Sequence, residues 1–401
     1  MSVGLQASAL AKLAPTLFER PQISLPAAKI LLSRLVHNLR VPNDGVGAKI
    51  RQVSMRLTDN CNLRCHTCGQ WGDNGYLLGR PIAEYIRGQV SPERYIALLH
   101  DLVEHGHRPG VYLWGGEPML YRGLVEVTEA AAALGMPVSI ATNGTKVADN
   151  AERLVKAPMF LVQISIDGPD AQTHNASRPG ANPSVDNFAT VVDAVDALRS
   201  ERARRGTRLP ILAGLCTINA RNADRLVDIF DAFADRLDAL VFYLSWWIDE
   251  EAATEHTRDF VRRFGFMPTR HIGWMGGWRP TDYEGLSRQL TTVARKALKP
   301  GVPGVVILPH LTSAKDLERY YTDHSATFGY NRCTSIYRAV EINANGDMAP
   351  CRDYSDYVVG NVKSHTITEL WNSDAYRRFR HSVSGEGLMP ACTRCSGLMG
   401  N

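Results

Sequence analysis

Seven of the chain's eight cysteines fall into two spaced groups. The first group lies in LTDNCNLRCHTCGQWG, where Cys61, Cys65 and Cys68 stand at C-x3-C-x2-C spacing. Soft thiolates select zinc or iron–sulfur clusters. A structural zinc is closed by four ligands, commonly as two C-x2-C pairs, and the local fourth ligand is missing here. A [4Fe–4S] cluster held by three cysteines leaves one iron open to a ligand from outside the chain. The second group is Cys333, Cys351, Cys392 and Cys395. Four cysteines fill a [4Fe–4S] cluster or close a zinc site, and their spacing leaves both open. Cys216 stands alone in the run ILAGLCTIN and reads as a small buried side chain.

These residues need elements to position them. From about residue 51, strand-like runs alternate with helical patterns. The runs are RQVSMRLT, GVYLW, PVSIAT, FLVQISID, PILAGLCTI and DALVFYLS. The helical patterns cover Pro92–Gly106, Leu120–Gly135, Ala148–Lys156, Val185–Arg205 and Ala223–Leu237. Such alternation implies parallel βαβ units, and six of them fit an open, partial barrel. Ligand sites in parallel α/β folds lie at the carboxyl ends of the strands. The first cysteine group follows the first strand, WGGEP the second, ATNGT the third and ISIDGP the fourth. Alone, each of the last three also reads as turn chemistry.

In that order, the motifs resemble those of the radical S-adenosylmethionine (radical SAM) superfamily. The resemblance implies that Cys61, Cys65 and Cys68 hold a [4Fe–4S] cluster whose open iron is chelated by S-adenosylmethionine. Reductive cleavage of that cofactor then gives a 5′-deoxyadenosyl radical, which takes a hydrogen atom from the substrate. It implies cofactor contacts from Gly115, Gly116 and Glu117, from Thr142 and Asn143, and from Ser165, Asp167 and Arg178. The chain departs from the family at Thr67, where an aromatic residue usually precedes the third cysteine; that weakens the expected contact to the adenine side.

Downstream, C-x12-G-x4-C opens at Cys333, and GNV…LWN follows. This resembles the Twitch domain, the shorter relative of the SPASM domain, and implies one fully ligated auxiliary [4Fe–4S] cluster serving electron transfer. RAVEINANGDMAPC reads as a hairpin turning at Asn345-Gly346, and TITELWNSDAYRRFRHSV as one helix opened at Thr368. The resemblance covers about residues 51–245 and 333–397. The expected organisation is a helical extension (1–50), a partial (β/α)6 radical SAM barrel (51–245), a helical, Trp-rich connector (246–332) and a small α+β auxiliary-cluster domain (333–401). In the extension, PAAKILLSRLVHNLR reads as an amphipathic helix, packed on the body or docking to a membrane surface or partner.

The net charge of +4 over 401 residues gives no case for nucleic-acid binding. No segment reads as a secretory signal or a spanning helix. Grouped cysteines without a signal point to a reducing compartment, the cytoplasm. The expected activity is oxidation of a small polar molecule, such as a sugar, aminocyclitol or nucleotide-sugar intermediate of a biosynthetic pathway. The auxiliary cluster would accept the electron, and a flavodoxin or ferredoxin would supply the reductant. Three alternatives stand beside it: an epimerase with Cys216 as hydrogen donor, a maturase of a ribosomally made peptide, and a zinc-binding scaffold without catalysis. Trp246, Trp247, Trp274 and Trp278 could wall a substrate site. Asp249, Glu250, Glu251, His271 and Tyr243 are candidate bases near its mouth, and the acidic run also reads as a solvated helix start.

Overall fold

The structure, a computed structural model, describes residues 45–399 and short pieces before them (11–15, 19, 21–22 and 24–29). The amphipathic pattern over 26–40 lies mostly outside the described residues. Ten strands form one sheet: β1 (Gln52–Thr58), β2 (Gly110–Gly115), β3 (Val138–Thr142), β4 (Leu161–Ser165), β5 (Ile211–Ile218), β6 (Ala239–Leu244), β7 (Gly304–Leu308), β8 (Ala339–Ile342), β9 (Asp347–Ala349) and β10 (Gly360–Asn361). Their order is β10-β9-β8-β1-β2-β3-β4-β5-β6-β7. All pairs from β8 through β1 to β7 are parallel, and β8-β9-β10 run antiparallel.

The six expected strands form the open barrel, with helices between them at Pro92–Glu104, Leu124–Ala133, Ala151–Lys156, Asn187–Arg205 and Leu226–Phe233. Local chemistry sets their ends. Ser91 caps the first of these, with Pro92 following. Asp186 caps Asn187–Arg205, and Gly206 ends it at φ +62°. Three features depart from expectation. The connector, besides its helices Glu250–Phe264, Tyr283–Lys296 and Ala314–Thr322, contributes a seventh parallel strand, β7. β8, from the segment expected to form the auxiliary domain, pairs in parallel with β1 and so continues the main sheet. The expected single C-terminal helix is two, Ile367–Trp371 and Asp374–Gly385. The first opens at Thr366, in a capping box with Glu369, and not at Thr368. Ser373 caps the second.

The strands' period of two explains where the site lies. One face carries Met55, Leu57, Leu113, Ile140, Ile164, Cys216 and Phe242, all fully buried. Each large apolar side chain on this face contributes about 1.5–3 kcal/mol through burial. The other face is polar and aromatic. Register places Ser54 beside Tyr112 and Glu341, Arg56 beside Trp114, and Thr217 beside Tyr243. Among the described residues, no helix is long and apolar enough to cross a membrane.

Candidate active site and its two cysteine sets

Loop geometry fixes the first cysteine set. The Leu63 N–H donates to Cys61 Sγ and the Trp71 N–H to Cys68 Sγ, each at 3.4 Å. The Cys68 N–H donates to the Cys65 carbonyl at 3.0 Å, and the Gly72 N–H to the Cys68 carbonyl at 2.8 Å. Arg64 N–H to the Pro179 carbonyl, and Ala181 N–H to the Asn62 carbonyl, tie the loop to the segment after β4. A Cβ on Gly72 would meet the carbonyl oxygens of Cys68, His66 and Cys65 at 2.5–2.8 Å. Gly72→Ala therefore forces the loop open; the expected result is loss of about half the iron of the reconstituted protein, read by iron analysis, with the second set still loaded.

The thiols suit a cationic polynuclear group. Burial, helped by the neighbouring thiols, pushes Cys61 far up and Cys65 up to about 11. Such thiols ionise when a metal centre compensates the charge. Among the described residues, no three His, Cys, Asp or Glu donors converge as a single metal ion would require.

A cavity of about 320 Å³ opens beside this loop. It is lined by all three cysteines and by Gly115, Gly116, Glu117, Thr142, Asn143, Ser165 and Arg178. Gly115 holds φ +150°, and a Cβ on Gly116 would lie 2.2 Å from the Asn60 carbonyl. Both glycines let β2's end close on the cysteine loop. Glu117 is buried and accepts from Thr142 Oγ1 (2.7 Å), the Asn143 N–H (2.7 Å) and the Met119 N–H (2.9 Å). Burial raises its carboxyl to about 7. Asn143 Nδ2 donates to Asn62 Oδ1 at 3.0 Å, linking the loop after β3 to the cysteine loop.

Two expected site residues lie elsewhere. Asp167 does not line the cavity; it is 1% exposed, pairs with Arg178 at 2.7 Å and accepts from the Thr217 N–H at 2.8 Å. It positions Arg178 and is not placed to touch a bound ligand. Cys216 faces the buried layer while its neighbour Thr217 lines the cavity, because adjacent strand residues point to opposite faces. It is fully buried and is not among the residues lining this cavity, which speaks against the donor role.

The second set, Cys333, Cys351, Cys392 and Cys395, is drawn together after β7. The thiols raise one another's pKa, on top of a larger effect from burial. Cys395 Sγ donates to Asp353 Oδ2 at 3.3 Å, and the Tyr354 N–H donates to Cys351 Sγ at 3.5 Å. Buried Arg394 holds the last pair in place by donating to the Ala326 carbonyl and stacking on Tyr320.

The Trp-rich connector joins the two sets. Trp246 and Trp274 stack at 4.1 Å. Trp274 packs on Gly69, next to Cys68, and donates Nε1–H to the Asp353 carbonyl at 3.3 Å. Both tryptophans, with Thr67 and Ser245, also line a second cavity of about 300 Å³. Its remaining walls include Asp73, Asn74, Asn219, Arg221 and Trp278. Trp247 is buried and touches His324. Asp249 is the N-cap of Glu250–Phe264, as the acidic run suggested. Sequence reasoning missed Tyr112 and Trp114, which line the first cavity, and Arg352, whose guanidinium covers both rings at 4.8 and 5.5 Å. The alternation of Tyr112 and Trp114 on β2 was the available signal.

Beside the second set, His256 is fully buried, with neither ring nitrogen partnered, against His271, Phe260 and Tyr354. Burial lowers it to about 3. Unfolded, it takes a proton below about 6.5, so its share of stability is present above that pH and lost as pH falls. His256→Phe is expected to recover about 2 kcal/mol of the stability lost between pH 7 and 5, read by denaturant melts at both values.

Comparison with known proteins agrees with this geometry. Residues 55–230 match the model of the radical SAM superfamily, and residues 333–396 match that of an iron–sulfur cluster-binding domain, SPASM. The AdoMet-dependent heme synthase of Methanosarcina barkeri is 22% identical over 85% of this chain and 88% of that protein. The sporulation killing factor maturation protein SkfB of Bacillus subtilis is 29% identical over 50% of this chain and 44% of that protein. The crystal structure of Streptococcus suis SuiB bound to precursor peptide SuiA superposes with a TM-score of 0.57 at 14% identity, covering 94% of this chain and 77% of that one. That likeness is one of fold. A half-buried three-cysteine loop at the end of β1 and a four-cysteine set after the barrel thus fall within the two matched segments, so residues 55–230 belong to the radical SAM superfamily and residues 333–396 to a SPASM-type iron–sulfur domain, with the S-adenosylmethionine and [4Fe–4S] cofactors that these domains imply.

Proposed function

We propose that this protein is a radical SAM dehydrogenase of a small polar substrate, with Cys61, Cys65 and Cys68 as ligands of the cofactor-binding cluster and Cys333, Cys351, Cys392 and Cys395 as ligands of the auxiliary one. When bound, these groups supply a 5′-deoxyadenosyl radical that takes a hydrogen atom and a one-electron sink that completes the oxidation. The chain's own residues do the rest. Gly115 and Gly116 admit the cofactor beside the cysteine loop, and Glu117 fixes the Thr142–Asn143 loop across the cavity. Thr67, Ser245, Trp246 and Trp274 divide that cavity from the second one.

The observation that carries this reading is the second cavity. At about 300 Å³, with Trp faces and Asp73, Asn74, Asn219 and Arg221 on its walls, it suits a ring with an apolar face and several hydroxyl or charged groups. A sugar, aminocyclitol or nucleotide sugar has that character. A flavodoxin or ferredoxin in the cytoplasm is the proposed reductant.

The relatives' names support a second reading. The M. barkeri heme synthase aligns along most of the chain, which makes a tetrapyrrole the substrate of that second reading. Anaerobic incubation with S-adenosylmethionine and dithionite separates the readings. A panel of aminocyclitols and nucleotide sugars is expected to contain a compound that accelerates 5′-deoxyadenosine release and itself loses two hydrogens. Acceleration by porphyrins or peptides alone would contradict the proposal.

A further inference from the structure

We infer that Arg178 sets the reduction potential of the cluster held by Cys61, Cys65 and Cys68, and that Asp167 moderates it. The inference rests on the assignment of those three cysteines as cluster ligands. Arg178 Nη1 donates to Cys65 Sγ at 3.7 Å. Its side chain is 13% exposed, and its guanidinium pairs with the 1% exposed carboxylate of Asp167 at 2.7 Å. The pair is fixed from below. The Thr217 N–H holds Asp167 Oδ1 at 2.8 Å, and Asn187 Nδ2 donates to the Arg178 carbonyl at 2.9 Å. The resemblance expects a basic residue near the cofactor's carboxylate and ribose. In this chain the residue also reaches a cluster ligand.

Reduction adds one electron to the cluster. A cation and an N–H donor at a ligand sulfur stabilise the more negative, reduced form and raise its potential. The effect is strengthened because the Arg178 and Asp167 side chains are largely buried. Asp167 opposes it from one step further back, since its carboxylate meets the guanidinium while the guanidinium meets the sulfur. The other cation of the loop, Arg64, is spent on the carbonyls of Cys61 and Leu63 and on the Trp71 face.

The two residues therefore give shifts of opposite sign. Arg178→Gln removes the cation and is expected to move the first cluster's midpoint to more negative potential. Asp167→Asn keeps the shape and the Thr217 contact, frees Arg178 of its counter-charge, and is expected to move the midpoint to more positive potential. Arg178→Lys is expected to recover part of the shift seen in Arg178→Gln. The test is an EPR-monitored redox titration of anaerobically reconstituted full-length protein without S-adenosylmethionine, with the second cluster as internal reference. Equal shifts in both clusters, shifts of the same sign in Arg178→Gln and Asp167→Asn, or no shift would overturn the inference. If Arg178→Gln fails to hold the cluster, the sign found for Asp167→Asn decides. A Cys61/Cys65/Cys68 triple alanine variant that retains both cluster signals would overturn the ligand assignment itself, a separate outcome.

Discussion

Replacing Cys61, Cys65 and Cys68 together with alanine is expected to halve the iron of the reconstituted protein, from about eight to about four atoms per chain. All capacity to cleave S-adenosylmethionine should go with it. The three thiols are the soft donors lining the first cavity, and no other cysteine lines it. Burial and mutual repulsion keep Cys61 and Cys65 costly to ionise without a bound metal centre. The fold should survive, because each replacement removes one small sulfur atom beside a cavity and costs about 1 kcal/mol. The auxiliary set is the control: Cys333, Cys351, Cys392 and Cys395 lie after the barrel and should keep their four irons. Replacing those four instead should remove the complementary half. Iron and sulfide analysis with EPR reads both results, and a full iron count in the first variant would refute the assignment.

Removing Glu117 has the second largest expected effect. Its carboxylate is the shared acceptor for Thr142 Oγ1 and for the N–H groups of Asn143 and Met119. Glu117→Ala leaves three donors without it, at about 1–3 kcal/mol for each that stays buried and unsatisfied. That is a large share of the 5–15 kcal/mol about which a domain's stability centres. The loop after β3 should loosen, and S-adenosylmethionine affinity should fall at least about tenfold, the equivalent of 1.4 kcal/mol. Glu117→Gln keeps the volume but sets an NH2 group against one N–H donor, so its loss should be smaller.

The pH dependence has a definite sign. The carboxyl titrates near 4.5 in an ordinary setting and about 7 in the folded chain. The folded chain holds the proton more tightly, so this group's contribution is greatest below pH 4.5. It is lost as pH rises through 7, by about 3 kcal/mol. The stability difference between the native chain and Glu117→Gln, followed from pH 5 to 8, isolates that slope from the opposing one due to His256.

Much of this site was legible from sequence because the ligand-facing residues sit in loops with strong local chemistry. The cysteine spacing, the Gly115-Gly116 pair and the Asn143-Gly144 turn each announce themselves within a few residues. Their convergence followed from one topological rule, that parallel strands present their carboxyl ends together. What stayed hidden depends on distant partners. β7 is a five-residue apolar run whose period alone does not separate strand from helix. β8 pairs with β1 from almost the other end of the chain, and no local pattern encodes that pairing. Asp167 was placed at the ligand because its motif ends a strand; its burial under Arg178 is a matter of packing. Cys216 could have been placed from sequence, since Thr217 beside it is the polar member of an alternating pair. The Trp246–Trp274 stack is tertiary, joining residues separated by a helix and a loop.

The central claim is that the first cavity holds S-adenosylmethionine for reductive cleavage. Its most direct test is mass spectrometry of 5′-deoxyadenosine after anaerobic incubation of the reconstituted chain with S-adenosylmethionine and dithionite. The account predicts 5′-deoxyadenosine and methionine in equal amounts, dependent on dithionite and absent from the Cys61/Cys65/Cys68 variant. Zinc in place of iron, or an iron-loaded protein that leaves S-adenosylmethionine intact, would contradict it.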